Sequence, residues 1–265
     1  MKKVWIPLTY LVFIVLLIIP ILKIFTGSWA EGWSGFIEAL TRKQSLHALM
    51  MTGIIVVVVT VLNTIFGVML ALYLVRATWL GQRIKNLLNS LVDLPYAVSP
   101  VIGGLMIVLI LGPSTALGAF FEDIGFKIVY ALPGMILATL FVTFPLMVRE
   151  VMPVLQEIGA QQEEAASTLG AYSWYTFWHV TWPSIRWGVI YGVVLTVARS
   201  LGEFGAVLVV SGNIMNKTQT ATTLVYQDVE NFNVVAANGV ALVLAAFSVG
   251  LLLLMEWAKK RKEVH

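Results

Sequence analysis

The 265 residues contain no cysteine, which excludes disulfides, a thiolate nucleophile and any cysteine-ligated metal. Charge is also scarce, at 12% of residues, where a soluble domain carries about a quarter. The three histidines, His47, His179 and His265, are scattered, and no HExxH or GxSxG run occurs, so neither a metal site nor a catalytic residue is expected. Gly212 to Thr218 approaches a phosphate loop, but Asn216 stands where the second glycine is required. This chain is therefore expected to bind no nucleotide and to carry no cofactor of its own. Basic patches interleaved with soluble aromatics are missing too, so nucleic acid is not an expected partner.

What the chain has is apolar residues, 59% of the total, with a mean hydropathy of +0.88. An all-α membrane protein is predicted, with six spans near 4–25, 46–75, 88–111, 131–149, 185–210 and 234–257. They must be helical because hydrocarbon offers exposed backbone no solvent. The first apolar run is nearer a full span than a signal core, so it reads as an uncleaved helix. If the amino terminus is inside, the inner segments hold eleven basic residues (Lys2, Lys3, Arg76, Arg83, Lys85, Arg149, Arg186, Lys259, Lys260, Arg261 and Lys262). The outer ones hold five: Lys23, Arg42, Lys43, Lys127 and Lys217. The excess places both termini in the cytoplasm of a multi-pass plasma (inner) membrane protein. Arg76, Arg83 and Lys85 read as the inner anchor of the second span, and the outer stretch from Ser211 to Val234 reads as a solvated loop.

Three stretches carry the functional signal. In the third span, Asp93, Pro95, Ser99, Pro100, Gly103 and Gly104 predict broken backbone, either in a pore wall or in a kinked packing helix. In the fifth, Gly188, Gly192, Thr196, Arg199 and Glu203 fall on one stripe, with Ser200 and Gly202 beside them. Such a stripe faces protein or water, and Arg199 can pair with Glu203 one turn on. Arg199 is then either an anion ligand or half of a structural lock near an outer gate, and a paired arginine favours the lock. Ser99, Thr196 and Ser200 could donate to an anion, although such hydroxyls more often bond their own backbone.

The third stretch, residues 163–183, reads EEAASTLGAYSWYTFWHVTWP. It predicts two short helices in a loop over 153–183. Pro153 lies in the first turn of one, Gly170 is its left-handed stop, Ser173 caps the other, and the second ends before Pro183. Its aromatic run suits a partner's groove; an amphipathic helix lying on lipid is the plainer alternative.

Glu164-Ala165-Ala166, Gly170 and the terminal Val180-Thr181-Trp182-Pro183 resemble the EAA loop of ABC importer permeases, with Trp182 where leucine is usual. The run from Ala198 to Ala206, ARSLGEFGA, resembles the signature of the sulfate, thiosulfate and molybdate branch. The run from Asp93 to Val101, DLPYAVSPV, resembles its W-type sulfate permease subunits. The likeness covers most of the chain from the second span onward. It implies a type I importer permease whose cytoplasmic coupling helix, between spans four and five, docks on the ATP-hydrolysing subunit. Glu164, Ala165, Ala166, Gly170, Ser173, Tyr175, Trp178 and Pro183 would serve that coupling. Asp93, Ser99, Pro100, Thr196, Arg199, Ser200, Gly202 and Glu203 would line the translocation pathway or its gate.

The implied partners are two copies of an ATPase holding ATP and Mg2+, a T-type sulfate permease subunit as heterodimer partner, and an extracytoplasmic sulfate-binding protein, all around membrane lipid. Sulfate or thiosulfate is the implied cargo, with molybdate or tungstate the variant within the branch. A passive anion channel would need no coupling helix. A membrane-embedded enzyme would need paired catalytic groups that the spans lack.

Overall fold

The computed structural model describes residues 2–77 and 81–263. The side chains of Lys2, Lys3, Lys260, Arg261 and Lys262, five of the charges used for topology, lie outside the described residues. The chain opens with α1 (Lys2–Phe13) and α2 (Ile19–Ser28), joined by a π-helical turn at Ile14–Ile18, then α3 (Gly32–Thr41) and the long α4 (Lys43–Arg76). Next come α5 (Gln82–Ala97), α6 (Pro100–Leu111), α7 (Ala116–Asp123) and α8 (Leu132–Ile158). The EAA segment forms α9 (Gln161–Thr168) and α10 (Ser173–Thr176). A second π turn, Phe177–Thr181, leads into α11 (Trp182–Leu201). The chain finishes with α12 (Gly205–Ser211), α13 (Ala221–Glu230) and α14 (Val234–Glu263). Among the described residues, five stretches are long and apolar enough to cross a membrane, and a sixth if α5 and α6 count as one.

The core lies where α4, α8 and α11 meet. Met147 on α8 is fully buried between Gly67 on α4 and Gly192 on α11, and a Cβ built on either glycine would fall under 3 Å from its side chain. Gly188 likewise lets α11 approach the Glu150 carbonyl and Val154. The predicted small-residue stripe is thus the packing seam of the fifth span. Asn63 Nδ2 donates to Thr143 Oγ1 at 2.7 Å, a buried polar staple between α4 and α8.

Several expectations change. The third span breaks as its prolines predict: α5 and α6 meet at 110°, and α6, about 18 Å long, does not cross a core of about 30 Å alone. The break is at Val98 and Ser99, just before Pro100, because a residue preceding proline is pushed to extended backbone. Gly103 and Gly104 do not cause it. They let α6 press on the Phe141 ring and on the Ala206 backbone of α12. Pro153 lies inside α8, which runs past 149 to Ile158 and ends at Gly159, φ +69. The fifth span breaks between α11 and α12. The stretch from Ser211 to Val234 is no simple solvated loop, since α13 buries Ala221, Thr223, Leu224 and Asp228.

Candidate functional site

At one end of the bundle, α9 projects between α8 and the aromatic segment and buries no residue. One side chain anchors it. Arg76, the last residue of α4, donates from Nε to Glu163 Oε2 at 2.8 Å and from Nη2 to the Gly159 carbonyl at 2.6 Å. Thr181 Oγ1 closes the clamp on Glu163 Oε1 at 2.9 Å. Arg76 is therefore a bolt through the loop, not merely the membrane anchor its position suggests. Glu164 and Ala165 stay exposed, with Ala166 half-buried.

The helix ends as expected at Gly170, φ +84, where Gly170 N–H bonds Ser167 O and Ala171 N–H bonds Ala166 O. This is a Schellman closure whose left-handed residue favours glycine. Ser173 is not a cap. Tyr172 occupies that position without a side-chain bond, and Ser173 is the first helical residue. Nor does the aromatic helix stop before Pro183. The π turn at Phe177–Thr181 lets Trp182 N–H reach Phe177 O, and Pro183 enters α11 in its first turn, where its missing donor costs little. The aromatic segment is thus continuous with α11 and forms the leading end of the fifth span.

Its rings support one another: Trp174 meets Trp178 edge-on at 5.5 Å, and Tyr175 stacks on His179 at 3.9 Å. Trp174, Tyr175 and Trp178 are exposed, and Leu169 and Tyr172, at 89% and 85%, project furthest. Those last two were not singled out from the sequence, although as apolar residues flanking a predicted left-handed glycine they could have been. This exposed apolar knob stands outside the packed core.

The predicted pathway residues separate into distinct places. Asp93 is held in a fork, with Arg149 Nε on its Oδ1 at 2.9 Å and Nη2 on Oδ2 at 2.6 Å, tying α5 to α8. Ser99, Pro100 and Arg199 line an open cleft of about 310 Å³ at the α5–α6 break, together with Tyr96, which sequence reasoning passed over. Ser200 and Glu203 line a second, enclosed cavity of about 10 Å³, the size of one water, with Thr52, Thr139, Thr220 and Thr222. Thr196 is fully buried. Neither the Thr196 nor the Ser200 hydroxyl bonds its own backbone; both are buried without a hydrogen-bond partner among the described residues.

Gly202, exposed, caps α11 at φ −92, so glycine's left-handed freedom is not used there. Glu203, nearly fully buried, accepts from Ala206 N–H through Oε1 at 3.0 Å, while Thr222 Oγ1 donates to its carbonyl at 2.7 Å. Arg199 Nη1 lies 2.9 Å from Glu203 Oε2, the expected pairing one turn apart, but off the alignment of a hydrogen bond. Above this break sits α13, whose Tyr226 ring packs on Phe204 at 5.2 Å. The Tyr226 hydroxyl donates to Glu230 at 2.5 Å, which holds the phenol above its ordinary pKa.

This arrangement, a bundle with a broken third helix and an exposed loop before the fifth, recurs in known proteins. The family described as binding-protein-dependent transport system inner membrane component matches residues 63–263. The sulfate transport system permease protein CysW of Synechocystis sp. is 43% identical over 264 residues, 100% of this chain and 95% of its own length. The protein of that name from Synechococcus elongatus is 46% identical over 239 residues, 90% and 82% of the two chains. A chain of a bacterial alginate ABC transporter, crystallised in complex with an alginate pentasaccharide-bound periplasmic protein, matches with a TM-score of 0.80 over 98% of this chain and 94% of its own. At 16% identity that likeness is one of fold alone. Because the matched segment takes in the clamp, the exposed loop and the open cleft, the chain belongs to the binding-protein-dependent transport system inner membrane components, a family of multi-pass membrane permeases.

Proposed function

We propose that this chain is one half of the transmembrane pore of an ATP-driven sulfate importer. The observation that carries the reading is the knob from Leu169 to Trp178, apolar, exposed and continuous with the fifth span. A passive channel has no use for it. Support for the cargo comes from the relatives, whose names specify sulfate and whose identity extends over nearly the whole chain. On this reading 1–265 forms one permease domain with both termini cytoplasmic, in contact with lipid and paired with a T-type sulfate permease subunit. Two ATPase copies, holding ATP and Mg2+, dock below, and an extracytoplasmic sulfate-binding protein delivers the anion from above.

Glu164 offers an unclamped carboxylate to a basic ATPase residue, and Ala165 and Ala166 keep the adjoining surface low. Leu169, Tyr172, Tyr175 and Trp178 fill the groove. Gly170, Ser173 and Pro183 shape the backbone that carries them. Burying each such apolar side chain contributes about 1.5–3 kcal/mol. Closure of the ATPases moves the knob, and the rigid 173–201 helix carries that motion to the pathway residues Asp93, Ser99, Pro100, Thr196, Arg199, Ser200, Gly202 and Glu203.

The chain's lack of cysteine makes the test clean. Single Leu169→Cys, Tyr172→Cys or Tyr175→Cys variants should crosslink to the ATPase through a short bifunctional reagent. Vesicles holding the full complex should take up labelled sulfate only with ATP, and thiosulfate and molybdate should be tried as competitors. No crosslink from any of the three positions, or uptake that persists without the ATPase, would sink the proposal.

A further inference from the structure

The described residues hold four arginine–carboxylate pairs, and three are built alike. Arg42 donates to both oxygens of Asp228 and to Ser45. Arg76 donates to Glu163 and to the Gly159 carbonyl. Arg149 donates to both oxygens of Asp93 and to the Asn89 carbonyl. These are locks, with aligned forks and further acceptors for the remaining donors. Arg199 is different. Among the described residues it donates no aligned hydrogen bond: Glu203 Oε2 lies 2.9 Å away off the alignment, as an ion-pair partner, with Oε1 already committed to Ala206.

Arg199 stands in the last turn of α11, at the break before α12, and a guanidinium there with unsatisfied N–H donors cannot face hydrocarbon. Its side chain is 39% exposed, and what it lines is the cleft at the α5–α6 break. Tyr96 and Ser99 line that same cleft, and neither hydroxyl has a hydrogen-bond partner among the described residues. Of the two carboxylates whose charge reaches Tyr96, Asp93 is neutralised by Arg149, and Glu150 has no ion pair among the described residues, so the attraction for an anion rests on Arg199. The cleft, about 310 Å³, is ample for a tetrahedral oxyanion and part of its shell.

Resting on the importer reading above, the geometry points to Arg199, with the Tyr96 and Ser99 hydroxyls, as the donor set that receives the oxyanion in transit. This reverses the sequence-based preference for a lock at Arg199. Glu203 then holds the local charge near balance, so that a dianion is drawn in yet released, as a conducting site requires.

The full complex, reconstituted in liposomes with its binding protein, tests this by labelled sulfate moved per ATP hydrolysed. The double variant Arg199→Gln/Glu203→Gln leaves no unpaired charge. It should assemble and hydrolyse ATP while sulfate per ATP falls at least about tenfold, the loss of one charge-assisted hydrogen bond. Arg199→Lys should keep more transport than the double variant, and Tyr96→Phe should lower the ratio about threefold. If the double variant moves sulfate as the natural complex does, the inference is overturned and the importer reading stands. Should the double variant not assemble, Tyr96→Phe decides, since it alters neither charge; an unchanged ratio overturns the inference. A natural complex that moves neither sulfate, thiosulfate nor molybdate overturns both.

Discussion

Helix α4 carries an arginine at its C-terminal end, and a second arginine directly precedes its N-terminal end; each clamps a short helix, but the two clamped helices are set in opposite ways. Arg76 holds α9, which buries nothing and keeps an apolar knob in the open. Arg42 holds α13, which turns four residues into the bundle and covers the break in the fifth span. Both helices close with the same Schellman hydrogen bonds. At the left-handed position the first has Gly170 and the second Phe232. One chemical device thus serves as a bracket for an exposed apolar surface at one end and as a bolt on a packed cap at the other. The surroundings, not the ion pair, decide which.

The sharpest way to break the comparison is at Arg42. Asp228 is nearly fully buried, so Arg42→Ala strands a carboxylate in a site with little water. The expected loss is about 3–5 kcal/mol of stability, the range for removing one partner of a buried pair. It should be read as a lower unfolding temperature of the detergent-solubilised protein. If the loss is under about 1 kcal/mol, α13 is not bolted through this pair.

Arg76→Ala should cost less in stability, about 1.5–3 kcal/mol, because both side chains of the pair keep about a fifth of their surface exposed. Its effect on coupling should be greater. With α9 loosened, ATP hydrolysis by the complex should continue while sulfate moved per ATP drops. Equal loss of both activities would mean that the clamp serves folding alone.

Neither clamp was legible in the sequence, and the reason is distance along the chain. Arg42 and Asp228 are 186 residues apart, Arg76 and Glu163 are 87, and Arg149 and Asp93 are 56. No periodicity reports such pairs. What lies within one or two turns was legible: the Arg199–Glu203 spacing, the left-handed Gly170 and the glycine seam of the fifth span. The prolines were read for their local rule alone, which failed at Pro183, where a π turn carries the helix through, and at Pro153, which α8 absorbs. The cleft was half legible. Pro95 and Pro100 announced a break, but Arg199 meets that break only because α6 packs on α12 and α8, a contact no single segment specifies.

Gly170→Val sharpens the comparison at the bracket end. A β-branched residue at φ +84 costs about 1–2 kcal/mol, enough to unwind the turn joining α9 to the aromatic segment. No other atom lies within 4 Å of the position a Cβ would take, so the penalty is conformational rather than steric. The variant should assemble, hydrolyse ATP and move less sulfate per ATP. Normal coupling in it would count against a role for that turn.

The smallest effect, of opposite sign, is expected at the other end. Phe232 sits at φ +58, with its N–H on Val229 O at 3.1 Å and Asn233 N–H on Asp228 O at 2.8 Å. The backbone there needs what Gly170 supplies, yet it carries a ring that is 89% exposed and contributes little to packing. Phe232→Gly should therefore relieve more strain in the folded chain than it loses in contacts. Glycine's greater freedom in the unfolded chain takes back about 0.5–1 kcal/mol. Against a left-handed penalty of about 1–2 kcal/mol, the net gain is about 0.5–1 kcal/mol, read as a slightly higher unfolding temperature. A clear loss of stability would mean that the Phe232 ring is covered in the assembled protein, and α13 would then present a partner surface of its own, as α9 does.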